Sequence, residues 1–188
     1  MRITIGVMGS SLVERPGLEI DRGLESLANR LGQAIASRQC VLVTGATSGL
    51  PHAVSKAAKA AGGMTIGISP AVSEREHRER YNLPADALDV VIYTGFGLKG
   101  RNVVNIRSSD IVIIFGGSTG TLNEFTIAFD EGKLIGVLEG TGGISDHIKE
   151  ILEYCDKEQN SRVFFNQSPE DLVDSCLAEF KRPREPQS

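Results

Sequence analysis

Three glycines and a lone carboxylate lie close together in the segment FGGSTGTLNEF, which runs from Phe115 to Phe125. An apolar run precedes the glycines and a helix-like run follows them, so they fall where a buried strand gives way to a helix. Free backbone N–H groups at the start of a helix bind anions. The carboxylate of Glu124 is suited to hydrogen bonding or to acid–base chemistry. This segment is therefore a candidate phosphate-binding loop.

Glu124 also has a purely structural explanation. Thr121 and Glu124 have the spacing of a capping box, in which a threonine caps the helix and the glutamate bonds back to its N–H. Leu122, Phe125 and Phe129 are spaced to share the buried face of the helix. Glu124 therefore lies off that face, toward the edge that carries the loop. On sequence alone, a capping role and a ligand-binding role both stay open.

A repeating order of elements must position these residues: a short apolar run, a turn of small residues and then a helical pattern. The predicted strands are residues 3–8, 40–45, 64–69, 89–94, 110–115, 134–139 and 162–165. The predicted helices are residues 19–37, 51–63, 101–109, 119–131, 144–155 and 169–180. Strands that alternate with helices form a mostly parallel sheet covered on both faces. The fold class is therefore α/β, a doubly wound, mostly parallel sheet.

Ligands of open parallel sheets bind outside the carboxyl ends of the strands. Four strand-to-helix loops are rich in small residues, namely 9–11, 44–49, 94–100 and 116–121. One such loop is explained by tight turns alone. Four on the same edge favour a phosphate- or nucleotide-type ligand.

One dinucleotide-like motif does not fit its expected context. Gly95, Gly97 and Gly100 spell G-x-G-x-x-G between a strand and a helix. The fingerprint also needs an acidic residue at the end of the next strand, for the ribose hydroxyls. Here that strand ends in Phe115 and Gly116, so we do not predict NAD binding.

Composition excludes several classes of protein. The 188 residues carry 20 basic and 24 acidic side chains, a net charge of −4, so nothing indicates binding to nucleic acid or to an anionic membrane. No apolar run has the length of a membrane span or of a signal peptide. The three cysteines Cys40, Cys155 and Cys176 are widely spaced, which is typical of a reducing compartment. We therefore expect a cytoplasmic protein, with Cys40 and Cys176 buried.

Several other features have two interpretations. The mixed-charge run 73–81 is expected to be a solvated face or a mobile loop, or else a lid over the ligand edge. Arg107 either assists phosphate binding or forms an ion pair. His52, His77 and His147 are isolated, without the spacing of a metal site or a catalytic triad.

The segments GGSTGTLNE and GRNVVNIRSSD resemble the SLOG group of Rossmann-like proteins, which includes the LOG phosphoribohydrolases and the molybdenum cofactor carrier proteins. The LOG signature is P-G-G-x-G-T-x-x-E, preceded by M-H-x-R-K. Aligned without gaps, its threonine falls on Thr121, its glutamate on Glu124 and its arginine on Arg101. The loops GSS and VTGATSGL also resemble the first two loops of the group.

This chain departs from the LOG signature at four positions. Gly116 replaces the proline, Ser118 replaces a glycine, Lys99 replaces the histidine and Asn102 replaces the lysine. Gly100-Arg101-Asn102 is more similar to the carrier branch. A glycine in place of the rigid proline is expected to loosen the loop that sets Glu124.

The resemblance implies a single Rossmann-like three-layer sandwich over residues 1–180. The segment KRPREPQS, residues 181–188, is expected from its composition to be a disordered tail. It implies a homodimer or higher homo-oligomer, for which Val103, Val104 and Ile106 offer an apolar helix surface. The ligand it implies is the molybdenum cofactor (molybdopterin) or an AMP-like nucleotide, with no metal ion bound directly by the protein.

The predicted site combines these loops. Its ligand-binding residues are Gly9, Ser10, Ser11, Gly45, Ser48, Gly49, Arg101, Gly117, Ser118, Thr119, Gly120, Thr121 and Glu124. The N–H groups from Gly117 to Thr121 are expected to bind phosphate, with Arg101 as a fixed cation. We favour a carrier-type binding protein for a phosphorylated nucleotide-like or pterin-like ligand. The alternatives are a nucleotide sensor or a LOG-type hydrolase of nucleoside 5'-monophosphates, in which Arg101 and Glu124 are catalytic.

Overall fold

The computed structural model describes residues 1–11, 20–155 and 161–183. Its strands are β1 (Thr4–Gly9), β2 (Val41–Thr44), β3 (Met64–Ser69), β4 (Val90–Tyr93), β5 (Ile111–Phe115), β6 (Leu134–Leu138) and β7 (Arg162–Asn166). Its helices are α1 (Arg22–Ser37), α2 (Leu50–Ala60), α3 (Glu74–Glu79), α4 (Gly97–Arg107), α5 (Thr119–Asp130), α6 (Ile148–Tyr154) and α7 (Pro169–Phe180). A 3₁₀ turn, Gly143–His147, precedes α6.

The seven strands form one sheet in the order β4-β3-β2-β1-β5-β6-β7, and every neighbouring pair is parallel. The chain builds outward from β1 in one direction as far as β4. It then returns to place β5 on the other side of β1. Two adjacent strands whose connections leave in opposite directions create a crevice at their carboxyl ends, where open α/β sheets bind ligands.

Both faces of the sheet are covered, and β5 shows how. Ile111, Ile113 and Phe115 belong to a core that packs against α1, α2 and α7. Val112 and Ile114 belong to a second core, with residues of α4, α5 and α6. Successive side chains of a strand point to opposite faces, so a strand between two helical layers is apolar throughout. The expected doubly wound, three-layer α/β sandwich is confirmed.

The amino ends of the strands are joined by two matching threonine–aspartate contacts. Asp110 Oδ2 accepts hydrogen bonds from Thr4 N at 2.8 Å and Thr4 Oγ1 at 3.0 Å. Asp89 Oδ2 accepts in the same way from Thr65 N at 2.9 Å and Thr65 Oγ1 at 3.0 Å. These contacts fix β1 against β5 and β3 against β4 at the edge opposite the crevice.

The predicted elements match the structure except near the third and fourth helices. The run 73–81, expected to be a solvated face or a loop, contains α3, which Ser73 caps through its side chain. Helix α4 begins at Gly97 rather than at Arg101. The predicted first helix begins at Glu19, which lies outside the described residues, and α1 begins at Arg22 after the cap Asp21. Of the predicted tail, 184–188 also lies outside them.

No helix among the described residues is long and apolar enough to cross a membrane. Cys40 and Cys176 are buried, as expected, and burial raises the pKa of the Cys176 thiol to about 12.

Candidate functional site

A cleft opens at the carboxyl ends of β1 and β5, where the sheet order changes direction. Residues from β1, from the loops after β1, β2 and β5, and from helices α2, α4 and α5 line it. They are Val7, Met8, Gly9, Ser11, Gly45, Thr47, Pro51, Leu98, Lys99, Arg101, Asn102, Ser118, Thr119, Gly120, Thr121 and Glu124. We call this space the cleft, and residues 116–121 the glycine loop.

Two glycines let the chain turn sharply from β5 into α5. Gly116 has φ +64° and Gly117 has φ +99°, both in the region that L side chains rarely adopt. A Cβ at Gly117 would also overlap the side chain of Thr121. The glycines at 116 and 117 are therefore required by backbone geometry.

The base of the glycine loop is fixed by hydrogen bonds to the loop after β6. Gly116 N donates to Thr141 Oγ1 at 3.0 Å and to Ser145 Oγ at 3.2 Å. Ser145 N donates back to Gly116 O at 3.1 Å, and Ile144 N donates to Gly117 O at 3.0 Å. The loosening expected from a glycine at position 116 is therefore wrong, because this backbone is tied at both its donor and its acceptor.

The free donors of the glycine loop begin later than the sequence suggests. Gly117 N donates to Ser10 Oγ at 2.7 Å, so it is already occupied. Helix α5 starts at Thr119, and its N-cap residue, Ser118, makes no side-chain cap. The N–H groups of Thr119, Gly120 and Thr121 make no hydrogen bond to a described residue. These three groups are donors that the first turn of a helix leaves unsatisfied, and donors in that position can bind an anion.

Arg101 and Glu124 form a buried ion pair inside the cleft. Arg101 Nη1 donates to Glu124 Oε1 at 3.1 Å, and the two side chains are only 9% and 8% exposed. Asn105 Nδ2 donates to the same carboxylate oxygen at 3.4 Å. Burial raises the pKa of the Glu124 carboxyl above its ordinary value, and Arg101 opposes that shift.

The capping-box interpretation of Glu124 is wrong. The N-cap of α5 is Ser118, and Thr121 already lies inside the helix. The Glu124 carboxylate bonds across to α4 through Arg101 and Asn105, instead of back to the start of its own helix. This glutamate therefore belongs to the cleft.

Two cations and one carboxylate give the cleft a positive balance. Lys99 is exposed, makes no ion pair with a described residue, and lies beside the start of α5: its Nζ is 3.6 Å from the position that a Cβ on Gly120 would occupy. Arg101 Nε is buried and has no hydrogen-bond partner among the described residues. A cation next to a helix N-terminus favours an anionic ligand.

The structure brings most of the predicted site residues together. Those that line the cleft are Gly9, Ser11, Gly45, Arg101, Ser118, Thr119, Gly120, Thr121 and Glu124. Four others do not line it: Ser10, Ser48, Gly49 and Gly117. Ser10 instead supports the glycine loop through Gly117, and Gly49, at φ +82°, caps α2.

Seven lining residues are absent from the predicted ligand contacts, and two of them, Val7 and Met8, belong to β1. The hydroxyl groups of Thr47 and Ser11 are hydrogen-bonded at 2.7 Å, and Pro51 lies in the first turn of α2. Leu98, Lys99 and Asn102 come from the first turns of α4. That helix begins four residues earlier than the sequence predicts, so its first turn falls in a segment predicted as a loop.

The remaining candidates lie outside the cleft. Arg107 Nε pairs with Glu131 at 2.8 Å, so the ion-pair interpretation is confirmed. None of residues 73–81 lines the cleft, which gives no support to a lid. Within the described ranges, no group of three or more histidine, cysteine, aspartate or glutamate residues is placed to hold a metal ion.

The parallel sheet and the cleft at its switch point define the class: a Rossmann-like α/β protein with a small-molecule site at the carboxyl edge. The chain belongs to the SLOG cluster4 family, whose model matches residues 2–173.

Two curated relatives cover most of the chain. An uncharacterised protein of Archaeoglobus fulgidus is 32% identical over 174 residues, which is 93% of this chain and 94% of the relative. A cytokinin riboside 5'-monophosphate phosphoribohydrolase of Mycobacterium marinum is 30% identical over 165 residues, which is 81% of this chain and 85% of the relative.

Two solved structures share the fold over nearly their whole length. The molybdenum cofactor binding protein of Rippkaea orientalis has a TM-score of 0.74 at 30% identity, covering 96% of this chain and 99% of the other. The molybdenum cofactor carrier protein of Chlamydomonas reinhardtii has a TM-score of 0.70 at 28% identity, covering 94% and 99%. By their names, both of these proteins bind or carry the molybdenum cofactor.

Proposed function

We propose that this chain binds a phosphorylated nucleotide-like or pterin-like small molecule in the cleft and acts as a carrier-type binding protein. The observation that carries the proposal is a cluster of donors at one end of the cleft that pair with no described residue. The N–H groups of Thr119, Gly120 and Thr121 and the ammonium of Lys99 meet there. A phosphate monoester has the charge and the acceptor oxygens to satisfy all of them.

The rest of the ligand extends from that phosphate along the cleft toward Glu124. Met8 and Leu98 give apolar surface for a flat ring, and Glu124 gives an acceptor for its N–H groups or for a sugar hydroxyl. The two molybdenum cofactor proteins support molybdopterin as the ligand. An AMP-like nucleotide has the same sequence of phosphate, polar linker and ring. We also propose that the protein is a homo-oligomer.

Of the three apolar residues of α4 that were expected to form an interface between subunits, one is inaccessible. Ile106 is fully buried in the core beside Phe125, so its predicted role in a dimer interface is wrong. Val103 and Val104 remain half-buried on α4.

A second function has one specific observation in its favour. The pair that a LOG-type reaction needs, Arg101 and Glu124, is in direct contact inside the cleft. A phosphoribohydrolase of nucleoside 5'-monophosphates is therefore the alternative, and the relative from Mycobacterium marinum supports it.

The binding proposal is tested on the purified protein. Mass spectrometry of the small molecules released on denaturation is expected to show a phosphorylated pterin or nucleotide. Titration of that molecule into Lys99→Gln should show an affinity about 10-fold weaker, because a charge-assisted hydrogen bond is lost. Lys181→Gln removes the same charge from the end of α7, outside the cleft, and should bind like the wild type. Equal affinity in both variants would contradict the site.

A further inference from the structure

The two oxygens of the Glu124 carboxylate have different surroundings. Oε1 accepts from Arg101 Nη1 at 3.1 Å and from Asn105 Nδ2 at 3.4 Å. In the amide orientation that satisfies its neighbours, Asn102 Nδ2 also donates to Oε1 at 3.3 Å. All three donors come from α4. Oε1 is therefore held against α4.

Oε2 receives no hydrogen bond from a described residue. It is nevertheless not sealed, because the buried side-chain atoms without a partner in the described ranges are Arg101 Nε and Asn105 Oδ1. Glu124 lines the cleft, so the surface that Oε2 retains faces the ligand space. A carboxylate held in this way offers one free acceptor.

Asn105 is the least expected member of this network. It is fully buried, and its Oδ1 has no hydrogen-bond partner among the described residues. A buried carbonyl without a partner is destabilising, and an apolar side chain of similar volume would avoid it. The presence of an amide here is therefore explained by its Nδ2 atom. This atom donates to Glu124 Oε1 and contacts Met8 Sδ at 3.1 Å.

We propose that Asn105 is a positioning residue: it holds Glu124 with Oε1 against α4 and Oε2 in the cleft, so that the ligand meets Oε2 with an N–H or O–H group. The ligand would then carry two features in fixed relation, a phosphate at the start of α5 and a hydrogen-bond donor opposite Glu124. A ring amide or amino group, or a sugar hydroxyl, fits the second feature. The ligand contact rests on the proposed function, whereas the effect of Asn105 on Glu124 does not.

The charged groups that act on Glu124 are few. Arg101 and Lys99 both come from α4, and both favour the ionised carboxylate. Strand β1 contributes the uncharged Met8, and Asn105 adds a neutral donor that also favours the ionised form. Removal of Asn105 therefore has a defined sign: the pKa of Glu124 must rise.

The first measurement needs no ligand. The full chain is labelled with ¹³C at the glutamate carboxyl carbon, and the signal of Glu124 is assigned by its absence in Glu124→Gln. In Asn105→Leu and in the smaller Asn105→Ala, the pKa of Glu124 should be higher than in the wild type, because a hydrogen bond to the ionised carboxylate is lost. Asn29→Ala is the control, because Asn29 is an exposed amide on α1 that does not line the cleft.

The second measurement uses AMP and inorganic phosphate as probes. The Asn105 variants should bind AMP about 10-fold more weakly, because Oε2 is no longer held toward the ring or sugar. Their affinity for inorganic phosphate should not change, because that ion contacts the start of α5 and Lys99 but neither Asn105 nor Glu124. An unchanged pKa of Glu124 with unchanged AMP affinity would overturn the role of Asn105. A wild type that binds neither probe would overturn the proposed ligand class, while the titration would still decide the role of Asn105.

Discussion

The guanidinium of Arg101 occupies the space that a side chain at position 45 would fill. A Cβ on Gly45 would overlap Nη1, Cζ and Nη2 of that arginine. The loop after β2 and helix α4 are therefore fitted to one another through a glycine and an arginine. Gly45, which was predicted to contact the ligand, lines the cleft. Because glycine has no side chain, this position also leaves room for Arg101.

Gly45→Ala should displace Arg101 from Glu124. We expect a loss of about 1–3 kcal/mol in the free energy of unfolding, because the added methyl overpacks a buried site. Ligand affinity should fall together with stability. Urea denaturation measures the first effect and calorimetric titration the second. Gly120→Ala is the matched control for stability, since a Cβ there meets nothing closer than Lys99 Nζ, and an unchanged stability for Gly45→Ala would contradict the contact.

Gly120→Val should block phosphate without unfolding the protein. The space beside Gly120 is open, and its nearest neighbour is the end of the flexible Lys99 side chain. A branched side chain there would occupy the place where an anion meets the N–H groups of α5. We expect affinity for a phosphorylated ligand to fall at least about 10-fold, with Gly120→Ala affected less. Unchanged affinity in Gly120→Val would remove the start of α5 from the site.

The fold was largely predictable from the sequence because each central strand is buried on both faces. Ile111–Phe115 is apolar at every position, and such a run between helical patterns is typical of a strand inside a parallel sheet. Helix α3 was missed for the opposite reason. Its residues, Glu74–Glu79, are almost all charged, and only His77 is buried, so no apolar periodicity marks it.

The parts of the cleft that come from a single segment of the chain were predictable from the sequence. The glycine loop and Arg101 are recognisable from residue type and spacing. The partnership of Glu124 with Asn105 was not, because these residues are 19 positions apart and meet only when α4 packs against α5. The same holds for Ser10, whose hydroxyl occupies Gly117 N from 107 positions away.

Gly116→Pro would restore the residue of the LOG signature, and it should damage this protein. Proline fixes φ near −65° and has no N–H, whereas Gly116 has φ +64° and donates to two hydroxyl groups. We expect a loss on the order of 3 kcal/mol in the free energy of unfolding. Gly116→Ala keeps the N–H and should lose about 1–2 kcal/mol. Denaturant titration compares the two, and a proline variant as stable as the alanine variant would contradict the hydrogen bonds at this position.

Stability should decrease below neutral pH through His77. This side chain is fully buried between Ser69 Oγ, at 2.9 Å from Nδ1, and Pro84 O, at 3.2 Å from Nε2. Burial lowers the pKa of His77 below its ordinary 6.5. Below pH 6.5 this histidine takes up a proton more readily in the unfolded chain than in the folded protein. The free energy of unfolding therefore falls as the pH drops from 6.5 toward the lowered pKa of His77.

The measurement is urea denaturation at several pH values between about 7 and about 5. His77→Gln should show a smaller loss of stability over that range than the wild type. The pKa of His52 is also lowered by burial, so His52→Gln is run beside it to separate the two contributions. A slope that His77→Gln leaves unchanged would mean that His77 does not carry the effect.

The last prediction separates the carrier from the hydrolase. Incubated with N6-substituted AMP, the protein is expected to bind the nucleotide but to release little free base or ribose 5-phosphate. Hydrolysis of the N-glycosidic bond needs its carboxylate and cation in productive geometry, and a small misplacement lowers the rate about 100-fold. In this cleft Glu124 Oε1 accepts hydrogen bonds from Arg101 and Asn105. Lysine and asparagine stand at the positions of the histidine and lysine of the LOG signature.

Chromatography of the reaction products measures the release of free base and ribose 5-phosphate. Fast turnover that Glu124→Gln abolishes with nucleotide binding intact, and that the exposed Glu131→Gln leaves unchanged, would show that the chain is an enzyme. Tight binding of a phosphorylated pterin without turnover would leave Glu124 as a ligand contact held in place by α4.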